Sequence, residues 1–165
     1  MSKQSKYDTI LDALQKLLET KELSGISVSE IAQTAGIGKG SIYYYFPSKD
    51  AILEALVERN YEAPLTTAKH LAEQTEISPF TRMAMIFQAC RNSSSAFLKT
   101  EPGTETAAPE RSFLHQKYMS HLITALKPVL TAIIQQGNED GLIHCEKPDA
   151  LAEIVLIVLT VKMDN

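Results

Sequence analysis

Apolar positions recur along this chain at steps of three and four. Tyr7, Ile10, Leu11, Leu14, Leu17 and Leu18 fall on one stripe, which predicts an amphipathic helix over residues 6–20. Residues 21–25 close it. Ser27, Val28, Ser29 and Glu30 then have the form of a capping box, in which the serine oxygen takes the Glu30 amide and the glutamate reaches back. A short second helix follows, with Val28, Ile31, Ala32 and Ala35 inward, ended by Gly36 in the left-handed conformation that terminating helices favour. Only Ile37 and Gly38 separate it from a third helix over 39–46, which Pro47 stops. Ser48 is placed to cap a fourth, longer helix carrying Ile52, Leu53, Leu56 and Val57. It runs to about residue 73 and is punctuated at Pro64.

Beyond Pro79 the pattern predicts a helix over 80–91, a loop at 100–109, and a long helix over 111–136, kinked at Pro128 and ended by the run GNEDG. Asp149 is expected to cap a last helix that is apolar almost all round, the mark of a segment buried on several sides. No repeat, low-complexity tract or alternating strand pattern appears, so the fold class is all-α.

The segment AGIGKGSIYYYFPSKD, residues 35–50, places Tyr43, Tyr44 and Tyr45 in a row. Two short helices joined by a tight glycine-containing turn form a helix-turn-helix, whose second member lies in the major groove of DNA. With Ile42 and Phe46 inward, Gly40 and Tyr44 point outward, Ser41 and Tyr43 flank them, and Tyr45 sits near the edge of the buried face. Aromatic residues in a small helical domain can simply be core, but three in a row cannot all face inward. An outward tyrosine can pack against the domain or a thymine methyl and donate its hydroxyl to a phosphate. Gly40 lets the backbone approach closely, Lys39 can reach a guanine edge or a phosphate, and Lys49 with the Ser48 region puts charge and free amides at a helix start.

Charge supports that picture only through its distribution. The net charge is −4, yet residues 1–50 hold six lysines against six acids, while residues 51–165 hold ten basic residues against fourteen acids. Between 31 and 49 the charges are Lys39 and Lys49 alone. An uncharged-to-positive surface on an acidic body is compatible with a DNA-binding head. At 165 residues, 44% hydrophobic and 22% charged, the composition is that of an ordinary soluble globular protein. Cys90 and Cys145 lack metal or CxxC spacing and read as buried thiols in a reducing cytosol rather than a disulfide or zinc site. The N-terminus has no signal-peptide pattern, and the apolar run 151–161 is about half of a membrane crossing, so a cytoplasmic protein without membrane attachment is expected.

Residues 27–53, SVSEIAQTAGIGKGSIYYYFPSKDAIL, resemble the DNA-binding domain of the TetR/AcrR family of transcriptional regulators, whose motif runs IA-x-x-AG and then G-x-x-Y-x-[HY]-F-x-x-K-[DE]-x-L. The resemblance covers residues 5–58. It implies a three-helix, homeodomain-like head over 1–48 and a helical effector-binding and dimerisation domain over 49–165. It further implies that Lys39, Gly40 and Ser41, joined by Tyr44, face base edges, and that Ser27, Tyr43, Tyr45 and Lys49 hold phosphates. Ser29 is a further contact candidate. Gly38 stands where the family often has a capping serine. The family has another helix after the one near 149–162, whereas this sequence ends at Asn165, so either a final dimerisation helix is missing or the apolar helix and its predecessor serve.

For the effector, Phe80, Met83, Phe87, Cys90, Phe97, Phe113, Tyr118, Met119 and His121 are the lining candidates, since aromatics and methionines with a few polar groups suit an apolar pocket. Each also suits a core position. His115 and His121 are six residues apart, not a ligand-pairing step on a helix, so no metal is expected. With no acid–base, nucleophile or phosphate-loop constellation, neither an enzyme nor a cofactor is expected. The expected function is a homodimeric regulator, most readily a repressor, released from a palindromic operator in double-stranded DNA by a small-molecule effector. The alternative is a helical ligand- or partner-binding protein whose head lacks specific DNA readout.

Overall fold

The computed structural model describes residues 5–97 and 108–163, and at 108–111 and 162–163 the backbone alone. Among the described residues seven α-helices follow in order: α1 Lys6–Leu18, α2 Val28–Ala35, α3 Lys39–Tyr45, α4 Lys49–Glu73, α5 Pro79–Phe97, α6 Ala108–Glu139 and α7 Pro148–Met163. A 3-10 turn at Leu23–Gly25 joins α1 to α2. No strand occurs among the described residues.

The chain divides into two compact units, one of residues 1–59 with 98–115, the other of residues 60–97 with 116–165. In the first, local rules set each helix end. Ser5 Oγ accepts from the Asp8 amide to start α1. Ser27 and Glu30 make the reciprocal capping box at α2. Lys21 holds the Glu30 carboxyl below its usual 4.5, with the Ser27 amide adding to the effect. Gly36, at φ 68°, ends α2 in the left-handed region. Ser48 Oγ accepts the Ala51 amide at 3.1 Å to start α4. Beneath these caps, Ile10, Leu11, Leu14, Ile26, Ile31, Ile42, Ile52, Leu53, Leu56 and Val57 are buried. Arg59 at the end of this stretch pairs with Asp12 of α1 at 2.7 Å.

In the second unit the helix ends are tied by side chains from distant positions. Arg82, fully buried on α5, donates to the carbonyl of Ala72 in the last turn of α4 at 3.1 Å and to Gln136 Oε1 of α6 at 2.6 Å. The partial negative charge of the α4 C-terminus suits that guanidinium. At the end of α6, Gly137 accepts from the amides of Leu142 and Ile143, and Asn138 brackets the Cys145 backbone at 2.7 and 2.9 Å. A methyl group on Gly137 would meet Ile143 Cδ1 at 2.6 Å, which explains the glycine.

Pro64 sits inside α4, which runs to Glu73 as expected. Other expectations change. Helix α5 continues past residue 91 to Phe97, and α6 continues past Gln136 to Glu139. Of the expected loop at 100–109, residues 100–107 lie outside the described residues and 108–109 are helical. Asp149 lies in the first turn of α7 rather than at its cap, and α7 is buried on one side only, through Ala152 and Leu156.

Replacing Gln136 by alanine removes an acceptor from a buried guanidinium and is expected to lower stability by about 1–3 kcal/mol in urea unfolding, more than Gln135→Ala at the exposed neighbouring position.

Candidate functional site

A seven-residue helix is too short to hold itself in water, so α3 takes its shape from what lies under it. Ile42 is fully buried and Phe46 is 4% exposed. Tyr7 of α1 lies against Phe46 at 4.8 Å between ring centroids and meets Tyr45 edge-on at 6.5 Å. Gly38 starts α3 with extended backbone and no side-chain cap. The turn between α2 and α3 is closed by the Ile37 amide on Ala32 O at 3.0 Å.

What remains outside is a single surface. Tyr44 is 84% exposed and Tyr43 49%, with Lys39 and Gly40 exposed beside them and Ser41 half-buried. Tyr45, at 38%, is pinned edge-on between Tyr44 and Tyr7. A methyl group on Gly40 would meet nothing within 4 Å, so nothing inside the chain explains a glycine there. Ser29 is exposed at the start of α2, and Ser27, also exposed, has its hydroxyl oxygen engaged by the Glu30 amide.

Lys49, expected at a phosphate, is engaged within the chain itself. Its Nζ donates to the carbonyls of Leu23 at 2.7 Å and Ile26 at 2.9 Å, tying the start of α4 to the connection before α2. The ammonium is spent on backbone.

The nine effector candidates do not meet in one place. Phe80, Met83 and Phe87 of α5 do wall a groove of about 420 Å³, closed by Ile134 of α6, Leu142 and Ile143 of the following turn, and Leu151 and Val155 of α7. The last five of those residues, and Ala84 beside them, were not singled out from the sequence, because no local pattern marks them as wall. Phe87, Cys90 and Met119 border a separate apolar space of about 10 Å³, the room of a single water. Phe97 and Tyr118 are buried and stacked on each other at 5.3 Å, and His121 stacks on Tyr61 at 6.1 Å. Phe113 is 51% exposed and belongs to the other unit. Burial pushes the Cys90 thiol up to about 12, and the Tyr118 phenol likewise to about 12. No group of three or more potential metal ligands occurs among the described residues, and no described helix is long and apolar enough to cross a membrane.

A short helix with an outward polar-aromatic face, seated by two buried residues after a left-handed glycine turn and accompanied by a separate helical unit, defines an all-α helix-turn-helix protein. Residues 10–56 match the model of bacterial regulatory proteins of the tetR family, and residues 98–165 match a tetracyclin repressor-like C-terminal domain. The chain belongs to the tetR family. It is 30% identical to the HTH-type transcriptional regulator EthR of Mycolicibacterium smegmatis over 131 residues, 78% of this chain and 60% of that protein. It is 32% identical to the HTH-type transcriptional repressor NemR of Escherichia coli K12 over 95 residues, 56% of this chain and 48% of that one. The chain thus spans about 60% or less of these curated relatives. Among solved structures, the transcriptional regulator FadR from Bacillus subtilis in complex with stearoyl-CoA matches with a TM-score of 0.66 at 19% identity, over 95% of this chain and 84% of that one. A SmeT–triclosan complex matches at 0.70 and 13%, over 98% and 79%. These likenesses show the fold.

Two outcomes test this geometry. Lys49→Ala strips the donor from two backbone carbonyls and is expected to cost about 1–3 kcal/mol of stability in urea, before any partner is added. Cys90 is expected to resist iodoacetamide at pH 8 in the native chain and to react once the chain is unfolded in urea, by mass spectrometry of the peptide that contains it.

Proposed function

We propose that the protein is a transcriptional regulator, a repressor that binds a palindromic operator in double-stranded DNA as a homodimer and is released by a small apolar effector. Residues 1–48 form the reading head and 49–165 the effector and dimer domain. The observation that carries the reading is the face of α3: Lys39, Gly40, Tyr43 and Tyr44 exposed together over a buried Ile42 and Phe46. Gly40 supports it further, because its missing side chain serves no neighbour in the chain and gives backbone access to a major groove. Lys39, Gly40, Ser41 and Tyr44 take base edges, and Tyr43, Tyr45, Ser27 and Ser29 the phosphates. Lys49 acts from beneath by fixing the connection that carries Ser27.

The second unit supplies the other two parts. Its groove is walled by aliphatic and aromatic side chains, which suits an effector recognised through apolar surface. Two neighbours of this fold carry stearoyl-CoA, whose acyl chain is apolar, and triclosan, a small apolar aromatic. On α7, Ile154, Ile157, Val158 and Val161 are each about half exposed at steps of three and four, an apolar stripe suited to a second copy. Two α3 helices about 34–36 Å apart then enter successive major grooves.

The deciding experiment is selection of bound sites from a random DNA pool, followed by mobility shift with a salt titration. Recovery of a palindromic site is expected; binding without sequence preference at moderate salt would instead favour a ligand- or partner-binding protein with a silent head. Gly40→Ala gives opposite signs in two assays. It is expected to raise stability by up to about 1 kcal/mol, as alanine does for glycine in a helix, while weakening operator binding about tenfold or more. Ile157→Asp is expected to yield monomers in sedimentation with the circular dichroism of the helices retained.

A further inference from the structure

Proline carries no amide hydrogen, so in a continuous helix the carbonyl four residues before it loses its helical donor. In α4 that proline is Pro64 and the carbonyl is that of Asn60. The donor is replaced from another helix: Ser93 Oγ of α5 donates to Asn60 O at 2.6 Å. A serine hydroxyl has one proton to give, and this one is committed. Its oxygen in turn accepts from the Tyr118 hydroxyl of α6 at 2.8 Å. Tyr118 is fully buried and stacked on Phe97, which fixes its ring. Two hydroxyls thus run in one direction, α6 to α5 to α4, and end on the first residue of α4 that belongs to the second unit.

We propose that the Tyr118–Ser93 pair is a latch on the proline break of α4. Closed, it supplies the bond that Pro64 withholds and keeps the helix straight through residues 60–64. Opened by any shift of Tyr118 or Ser93 beyond hydrogen-bond reach, it lets α4 bend at that turn, as helices do at proline when the gap is unfilled. Met119 and Leu122, on the same stretch of α6 as Tyr118, border the small apolar space beside Cys90, so repacking there moves the phenol. That the bend then alters DNA binding rests on the function proposed above; the latch does not.

The test therefore uses amide hydrogen exchange of the intact chain, followed by mass spectrometry and without DNA. Ser93→Ala is expected to speed exchange in peptides covering 60–68 by about fivefold or more, with peptides from α2 and α3 unchanged. Tyr118→Phe, which removes a single oxygen, is expected to speed the same peptides by a smaller factor. In a Pro64→Ala background, where residue 64 donates to Asn60 itself, Ser93→Ala is expected to change exchange by less than about twofold. No change on Ser93→Ala or Tyr118→Phe in the natural background overturns the latch. So does an equal rise with and without Pro64, which would make Ser93 a packing residue. A head that reads no DNA leaves these outcomes as they are. If Ser93→Ala does not fold, Tyr118→Phe alone decides.

Discussion

A helix of seven residues is stable only where something else holds it, and in this protein that something is the burial of Ile42 and Phe46. Every outward feature of α3 depends on that seat. With Ile42 fixed inward, the 100° step per residue leaves Tyr44 no place but solvent, and Tyr43 and Lys39 follow on either side. The ring of Tyr7 against Phe46 and Tyr45 adds a wall from α1, so the face is presented by a packed base rather than by a loop. Large phenols in water are otherwise an unfavourable use of apolar area, and their collection on one face beside lysine and a glycine without a packing role is the arrangement a duplex would use.

The second unit is governed by a different constraint, the accounting of carbonyls. Helix α4 has two places where its own backbone leaves an oxygen without a helical donor: Asn60, because of Pro64, and its last turn, as in any helix. Both are met by side chains of α5, Ser93 at the first and Arg82 at Ala72 for the second, and each of these is tied in turn to α6, through Tyr118 and Gln136. Directional polar networks of this sort favour one arrangement of three helices where apolar packing alone would tolerate several, although Arg82 Nε is buried without a partner. Apolar surface meanwhile is left over rather than short: the groove beside Phe80 and Leu142 and the stripe on α7 are both open in the single chain.

This difference explains what the sequence disclosed. The capping box at Ser27, the left-handed turn at Gly36, the Ser48 cap and the inward pair Ile42 and Phe46 are all rules of short range, and each reads directly from neighbouring letters. Lys49 did not, because its partners Leu23 and Ile26 are brought to it by the fold and no local pattern marks a lysine that spends its charge on backbone. Pro64 shows the same limit. That the helix passes through it is legible in the sequence, but not the serine twenty-nine positions away that donates to the Asn60 carbonyl. The effector candidates scattered because aromatic and methionine composition says that a residue is apolar, not which of two units or which side of α5 it occupies.

The two kinds of constraint also bear on how an apolar ligand signals. Burial of apolar surface is non-directional, so a ligand held that way selects among arrangements by how much of its surface each encloses. Bonds whose strength falls steeply with distance and angle then fix how the helices meet in the arrangement selected. In this unit such bonds on α4 include those from Ser93 and Arg82, which sit at opposite ends of the same stretch, residues 60 and 72. The Arg82 end is a charge-assisted donor, fully buried and tied to two acceptors, and is costly to open. The Ser93 end is a neutral hydroxyl on a single carbonyl beside a proline. When repacking around Met119 and Leu122 puts strain on α4, the weaker end yields first, so the proposed bend falls near residue 60.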